Sequence, residues 1–143
     1  MKIYTIGYEA TTMAEFLAAL KGAGVERLID VRALPLSRRP GFSKNILAAS
    51  LKEAGISYVG LKALGTPKAG RDAAKKGDVA TLEAVYDAQL GLPEAQAEAA
   101  KMRALAAEKP SALLCYERNP EHCHRTLLLE AEGEGMDVVN LYP

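Results

Sequence analysis

Short apolar runs alternate with helix-like segments along the whole chain, and this alternation strongly limits the folds open to it. The strand-like runs are KIYTIG, RLIDVRAL, ISYVGL, ALLCY and MDVVNL. Between them, spacings such as Phe16, Leu17 and Leu20 are typical of amphipathic helices. Because strands that alternate with helices form a mostly parallel sheet, we predict an α/β fold. The expected architecture is a single domain over residues 1–143, with a mainly parallel five-stranded sheet and helices on both faces.

Local signals place several helix boundaries. Thr12 precedes Glu15 by three residues, the spacing of a capping box at a helix start. Ser43 and Gly55 bracket a second helix. We predict that the basic, glycine-containing segment 65–77, GTPKAGRDAAKKG, is a loop, which could be mobile.

Overall charge indicates little about partners. Lys and Arg together number 18, as do Asp and Glu, so the net charge is zero and gives nucleic-acid binding no support. No apolar run reaches the roughly 20 residues of a membrane span, and the first residues lack a signal-peptide pattern. We therefore expect a cytoplasmic protein that does not contact a membrane and whose two cysteines are free thiols. The oligomeric state is left open.

Both cysteines and both histidines lie in one stretch, LLCYERNPEHCHR. Cys123 would begin a helix, where the helix dipole and free N–H groups stabilise a thiolate. His122, His124 and Arg125 would add to this effect if they were cationic and close. We therefore predict that Cys123 reacts faster than Cys115, which ends an apolar strand that we expect to be buried.

Cys115 has three interpretations. It stands at a strand end, where a nucleophile could act on a ligand, but Glu117 in the following loop would repel an oxyanion. Alternatively, Cys115 is a small buried core residue. A redox disulfide with Cys123 is a further alternative, and it would need a Cα separation of about 4.4–6.8 Å.

A metal site is not predicted. Cys115, His122, Cys123 and His124 could supply four ligands, but their spacing matches no common zinc module. Adjacent Cys and His residues at a helix start should also point in different directions. The cofactor, if there is one, is left undefined.

A second candidate segment, DVRALPLSRRPGFSK, offers cations for an anion pocket. Asp30 could orient Arg32 through a bidentate pair, and Arg38, Arg39 and Lys44 follow close to a helix start. The alternative is a solvated basic loop with a structural Asp30–Arg32 pair.

Other polar residues fall on the same sheet edge, where the ligands of parallel sheets bind. Gly7 would permit a close backbone approach at the end of the first strand, and Tyr8 and Glu9 would overhang that edge. Lys68 and Arg71 could form a lid over an anion, or could simply be solvated.

The segments TIGYE, LIDVRALPLSRRPGFSK, ISYVGLKALGTPK and LLCYERNPEHCHR together resemble the DUF488 family, a group of small bacterial and archaeal proteins named for unknown function. This resemblance implies a small α/β domain whose shared polar residues lie near Arg32, Glu117, Cys123, His124 and Arg125. A weaker rhodanese-like resemblance lies in the order of strand, cysteine loop and helix.

These observations predict an anion-binding thiol site for a small anionic ligand. If the chain is an enzyme, it is a cysteine-dependent transferase or hydrolase of sulfur or phosphoryl type. Cys123 or Cys115 would then be the nucleophile, His124 the acid–base group, and Arg32 with Arg125 the anion holders. The alternatives are a binding module for a phosphate-bearing ligand or nucleic acid, and a metal- or redox-sensing protein.

Overall fold

The computed structural model describes the backbone of residues 1–143 and every side chain except that of His122. Its strands are β1 (Lys2–Gly7), β2 (Arg27–Asp30), β3 (Ser57–Gly60), β4 (Ser111–Cys115) and β5 (Asp137–Leu141). Its α-helices are α1 (Met13–Gly22), α2 (Lys44–Glu53), α3 (Lys68–Lys75), α4 (Val79–Leu90), α5 (Pro93–Glu108) and α6 (His124–Glu132). Two short 3-10 turns, Lys62–Leu64 and Pro120–His122, follow β3 and precede α6.

All five strands pair in parallel in one sheet, in the order β3-β2-β4-β1-β5. The predicted α/β fold is therefore confirmed, with an entirely parallel sheet. Every residue of β4 is buried, as its unbroken apolar sequence predicts for a strand inside a parallel sheet. The carboxyl ends of β1, β2 and β4 consequently lie side by side.

Helices cover the two faces of the sheet with separate apolar clusters. On one face, Phe16 of α1 and Leu47 of α2 pack with Leu114 of β4. On the other face, Tyr86 of α4 and Met102 of α5 pack among strand residues and α6. Because neighbouring residues along a strand point to opposite faces, the single strand β4 serves both clusters.

The basic segment 65–77 contains the helix α3, so the prediction of a loop there is wrong. Gly70 packs so closely on α4 that a Cβ atom there would lie 3.2 Å from Val85 Cγ1 and closer still to Thr66. Arg71 Nη1 also donates to the Thr66 carbonyl at 2.9 Å. Packing on α4 thus stabilises a helix whose glycine and lysines are typical of a loop.

Two elements near the sheet edge are shorter than predicted. β2 ends at Asp30, because the backbone N–H of Arg32 turns back to the Asp30 carboxylate at 3.1 Å. Helix α6 begins at His124, with Cys123 as an N-cap residue in extended conformation. This extended N-cap changes the direction of the Cys123 side chain relative to a helical residue.

Candidate functional site

A cleft of about 740 Å³ opens at the carboxyl edge of the sheet. Cys115 and His124 line it together with Arg32, which follows β2. We call it the edge cleft. Residues of helices α3 and α4 also line it, so the segment that folds unexpectedly into α3 forms part of the cleft.

The two cysteines are joined by a disulfide at the side of the edge cleft that carries β4 and α6. The prediction of free thiols is therefore wrong for this state of the protein. Cys115 ends β4 and Cys123 caps α6, and the loop between them returns to bring their Cα atoms to 7.1 Å. Both residues are almost fully buried, and only Cys115 lines the edge cleft.

His124 contacts both the disulfide and the sheet. Its Nε2 atom lies 2.8 Å from the carbonyl oxygen of Val31, and its Nδ1 atom lies 3.8 Å from Sγ of Cys123. The ring also packs edge-on against Tyr86. Burial lowers the pKa of His124 to about 4, so the imidazole is neutral near pH 7. Because a carbonyl oxygen only accepts, Nε2 carries the proton and Nδ1 presents its lone pair to the sulfur.

Arg32 is held in place by a buried pair with Asp30. The Nε and Nη2 atoms of Arg32 donate to the two carboxylate oxygens of Asp30 at 2.9 and 2.8 Å, and Nη1 donates to the carbonyl of Phe42. The hydroxyl of Tyr58 donates to the same carboxylate. Burial by itself lowers the pKa of Arg32, but the hydrogen bonds and charge of Asp30 outweigh it and raise the pKa overall. Most donors of Arg32 are thus engaged within the protein.

Arg125 is completely buried. Its Nη2 donates to the carbonyl of Arg118 at 3.1 Å, whereas Nε and Nη1 have no hydrogen-bond partner among the described residues. Burial lowers the pKa of Arg125 to about 10, partly offset by the charge of Glu117, so the guanidinium stays charged near neutral pH. Arg125 is not among the residues that line the cleft.

The loop after β4 is tied to the loop after β1. The backbone N–H groups of Tyr8 and Glu9 both donate to the Tyr116 carbonyl, at 3.1 and 2.9 Å. A Cβ atom on Gly7 would collide with the carbonyl of Glu117, so the position requires glycine. The close backbone approach predicted at Gly7 is present, and it sets the position of Glu117 at the cleft.

Charged side chains of both signs line the edge cleft. Arg71, Lys75 and Lys76 line the wall formed by α3 and its end. The carboxylates that line the cleft are Glu9, Glu117 and Glu121, all on the loops after β1 and β4. No local sequence signal marks Lys75, Lys76 or Glu121 as site residues, because the lysines lie in a segment whose composition is typical of a loop and Glu121 lies in the polar turn before Cys123.

The other predicted anion-binding residues are dispersed. Tyr8 is buried and stacks on the ring of Phe42 at a centroid distance of 4.7 Å. Arg39 donates to the carbonyl of Thr11, and Arg38 is exposed. Lys44 lines a second, smaller cleft of about 200 Å³ on the outer side of Arg32.

Two more predictions concern single side chains. The His122 side chain, considered above as a metal ligand, lies outside the described residues. Lys68 pairs with Asp72 at 3.1 Å and is not among the lining residues of the edge cleft, unlike Arg71.

Comparison with known proteins addresses the family. A model described as Domain of unknown function DUF488 matches residues 12–131, which is most of the chain. The chain belongs to the DUF488 family. The predicted family is thus confirmed, while the rhodanese-like resemblance stays a prediction. Searches of curated proteins and of solved structures found no match.

Within this DUF488 chain, the family match includes β2, β4, the disulfide and the start of α6, and so most of the edge cleft. Among the described residues, none of the helices combines the length and hydropathy needed to span a bilayer. The family description names no reaction, so any assignment of chemistry depends on the cleft itself.

Proposed function

We propose that this DUF488 protein carries out thiol–disulfide exchange with a small thiol or disulfide bound in the edge cleft. One observation carries the proposal: Cys115 lines the cleft while it is bonded to Cys123, the N-cap of α6. A sulfur at the lining of the cleft is thereby paired with a good leaving group. The site lies at the carboxyl edge of a parallel sheet, where ligands of such sheets bind.

In the first step, the thiolate of a small molecule attacks Sγ of Cys115 from the cleft. A mixed disulfide forms, the bond between the cysteines breaks, and its electron pair leaves on Cys123. A second small thiolate then attacks the small-molecule sulfur of the mixed disulfide and releases Cys115 as a thiolate. The protein disulfide and two small thiols thus become a protein dithiol and one small disulfide, and the two protons pass from the small thiols to the cysteines.

The protein favours Cys123 as the leaving group. Cys123 makes no side-chain cap hydrogen bond in the disulfide state, so the N–H groups of the first turn of α6 remain able to stabilise its thiolate. His124 Nδ1 can accept a hydrogen bond from the protonated thiol. A pKa of about 4 makes His124 a weak base, so we assign it this acceptor role and not the acid–base role expected from the sequence.

The charges of the cleft suggest the substrate class. The cations of α3 and the carboxylates of the loops after β1 and β4 line the same cleft, so neither sign dominates. A ligand with both an amino and a carboxylate group would meet a complementary charge for each of them there. We propose an amino-acid or peptide thiol. The same mixture of charges gives a nucleic-acid partner no support.

Phosphoryl transfer is less well supported by the geometry. That chemistry needs an arginine that closes a cradle of loop N–H groups around the anion. Arg125 is completely buried and does not line the cleft, and the donors of Arg32 are largely engaged by Asp30 and Phe42. Neither arginine is therefore placed to take up a phosphoryl group freely.

A pair of single-cysteine variants tests the proposal. Reduced Cys123→Ser and its matched control Cys115→Ser are each mixed with glutathione disulfide, and the mixed disulfide is followed by intact-mass spectrometry. We expect Cys123→Ser, which keeps Cys115, to react at least about tenfold faster, because only Cys115 faces the cleft.

The unmodified protein supplies the second measurement. We expect its disulfide to be reduced by glutathione and to re-form with glutathione disulfide, giving a defined equilibrium. The proposal would be overturned if Cys115→Ser reacted faster than Cys123→Ser. It would also be overturned if neither variant reacted although the same cysteines react in the unfolded chain.

A further inference from the structure

Three ligand atoms suited to a soft metal ion converge beside the edge cleft. Sγ of Cys115, Sγ of Cys123 and a ring nitrogen of His124 all lie within 4.8 Å of one another. All three residues are buried, and two of them line the cleft. Zinc sites with an open position commonly have three such protein ligands.

The backbone explains why adjacent residues 123 and 124 point to one place. Cys123 is an N-cap with φ −130° and ψ 146°, whereas His124 is the first helical residue. The change of backbone conformation between them brings Sγ and Nδ1 to 3.8 Å. The expectation that they diverge assumed that both residues belong to the helix.

His124 is already oriented as a metal ligand. Its Nε2–H points to the carbonyl of Val31 at 2.8 Å, which leaves the lone pair of Nδ1 on the side of the sulfurs. Histidines that bind metals usually donate their other ring N–H to a carbonyl or carboxylate in this way. The contact joins the end of β2 to the start of α6, so the sheet itself holds the ring.

The cysteines have room to separate around an ion. Their Cα atoms stand 7.1 Å apart, wider than the roughly 4.4–6.8 Å usual for disulfides. With Zn–S bonds of about 2.3 Å and tetrahedral angles, two thiolate sulfurs lie about 3.8 Å apart. Reduction would allow the sulfurs to reach this spacing by side-chain movement.

We propose that the reduced protein binds one Zn²⁺ ion through the thiolates of Cys115 and Cys123 and Nδ1 of His124, with the fourth position open to the edge cleft. Two thiols lose their protons to solvent, and two thiolates balance the charge of the ion at a buried site. Two sulfurs and an imidazole select zinc over the hard ions magnesium and calcium.

This inference uses the same cysteines as the proposed exchange reaction, but it does not depend on that reaction. Zinc would bind the dithiol and would be released when the disulfide forms. Exchange can be assayed with a chelator present, and zinc binding can be assayed without any small thiol. Each proposal can therefore fail while the other one holds.

The test begins with protein reduced by a phosphine and freed of metal. Zn²⁺ is titrated against a chromophoric chelator, and we expect one equivalent to bind, with none bound by the oxidised protein. Loss of a residue that only hydrogen-bonds a metal ligand already weakens metal affinity roughly 10–100-fold. We therefore expect Cys115→Ser and His124→Gln, which each remove a ligand, to weaken zinc affinity by more than about 100-fold. The surface variant Lys68→Gln, which keeps both cysteines and His124, serves as the control and should bind as the unmodified protein does.

Co²⁺ substitution keeps the test decisive if a variant does not fold. In the unmodified, reduced protein, Co²⁺ should show intense visible bands of tetrahedral geometry and a sulfur-to-cobalt charge-transfer band of two thiolates. Absence of that band, binding to the oxidised protein with equal affinity, or full affinity in folded Cys115→Ser would overturn the proposal.

Discussion

Asp30 and Arg32 form a doubly hydrogen-bonded ion pair at the end of β2, with two N···O distances of 2.9 and 2.8 Å. Both side chains are buried, with exposed fractions of 1% and 6%. The pair closes the turn after β2, and residues of the loop that follows line the edge cleft. The pair therefore helps to set the position of that loop at the site.

Breaking this pair from one side should strongly destabilise the protein. We expect Arg32→Met to lower the free energy of unfolding by about 3–5 kcal/mol, because it leaves the Asp30 carboxylate buried without its counter-ion. The double variant Asp30→Asn/Arg32→Met should recover much of the loss. Urea denaturation measures the free energy of unfolding of the single and the double variant. The control is Arg38→Met at an exposed position, which should change that free energy by less than about 0.5 kcal/mol. Equal losses for Arg38→Met and Arg32→Met would contradict the assignment.

Gly7 offers a test of the packing between the β1 and β4 loops. Gly7→Ala places a methyl group against the carbonyl of Glu117, so we expect a loss of stability and a displaced loop. Gly22→Ala is the matched control, because nothing lies within 4 Å of its Cβ position at the exposed end of α1. It should stabilise the protein by about 0.5–1 kcal/mol. Thermal denaturation of the two variants should therefore move in opposite directions.

The pKa of His124 makes stability depend on pH in a defined window. Burial depresses the pKa in the folded protein to about 4 from 6.5, so the unfolded chain binds the extra proton between these values. The free energy of unfolding should be fully retained above pH 6.5 and should fall by about 3 kcal/mol as the pH drops to 4, at 1.36 kcal/mol per pKa unit.

His124→Gln isolates that contribution. Its side-chain amide can still donate to the Val31 carbonyl, but it does not titrate. The difference in stability between the unmodified protein and this variant should therefore change across pH 4–6.5 and be constant above it. A difference that is flat over the whole range would show that His124 is not buried in its neutral form.

The cationic wall of the edge cleft should affect exchange rates according to substrate charge. Lys75→Gln combined with Lys76→Gln should slow the reaction with glutathione disulfide by up to about fivefold at low ionic strength, a small effect because exposed charges are screened. Lys68→Gln, on the same helix but outside the cleft, is the control. Reaction with uncharged 2-hydroxyethyl disulfide should be unaffected, and an equal slowing of both probes would argue against charge recognition.

Features that depend on near neighbours in the chain could be predicted from the sequence. The capping box of Thr12 and Glu15 is present at the start of α1, with contacts that span three residues. The apolar run of β4 is buried as predicted, and Cys123 does stand at a helix start. These outcomes follow from hydrophobic periodicity and local hydrogen bonding, which the order of residues encodes directly.

The chemistry of the site required contacts between distant segments. The ring orientation of His124 depends on Val31, 93 residues earlier, and the fold of α3 depends on packing against Val85 of α4. Arg125 is buried and does not line the cleft, and no local sequence pattern indicates this. The sequence by itself therefore determined the succession of strands and helices along the chain and the sheet edge where the reactive residues gather. Only the tertiary structure decided that the thiols are bonded and which atoms face one another, because those depend on distances across the sheet.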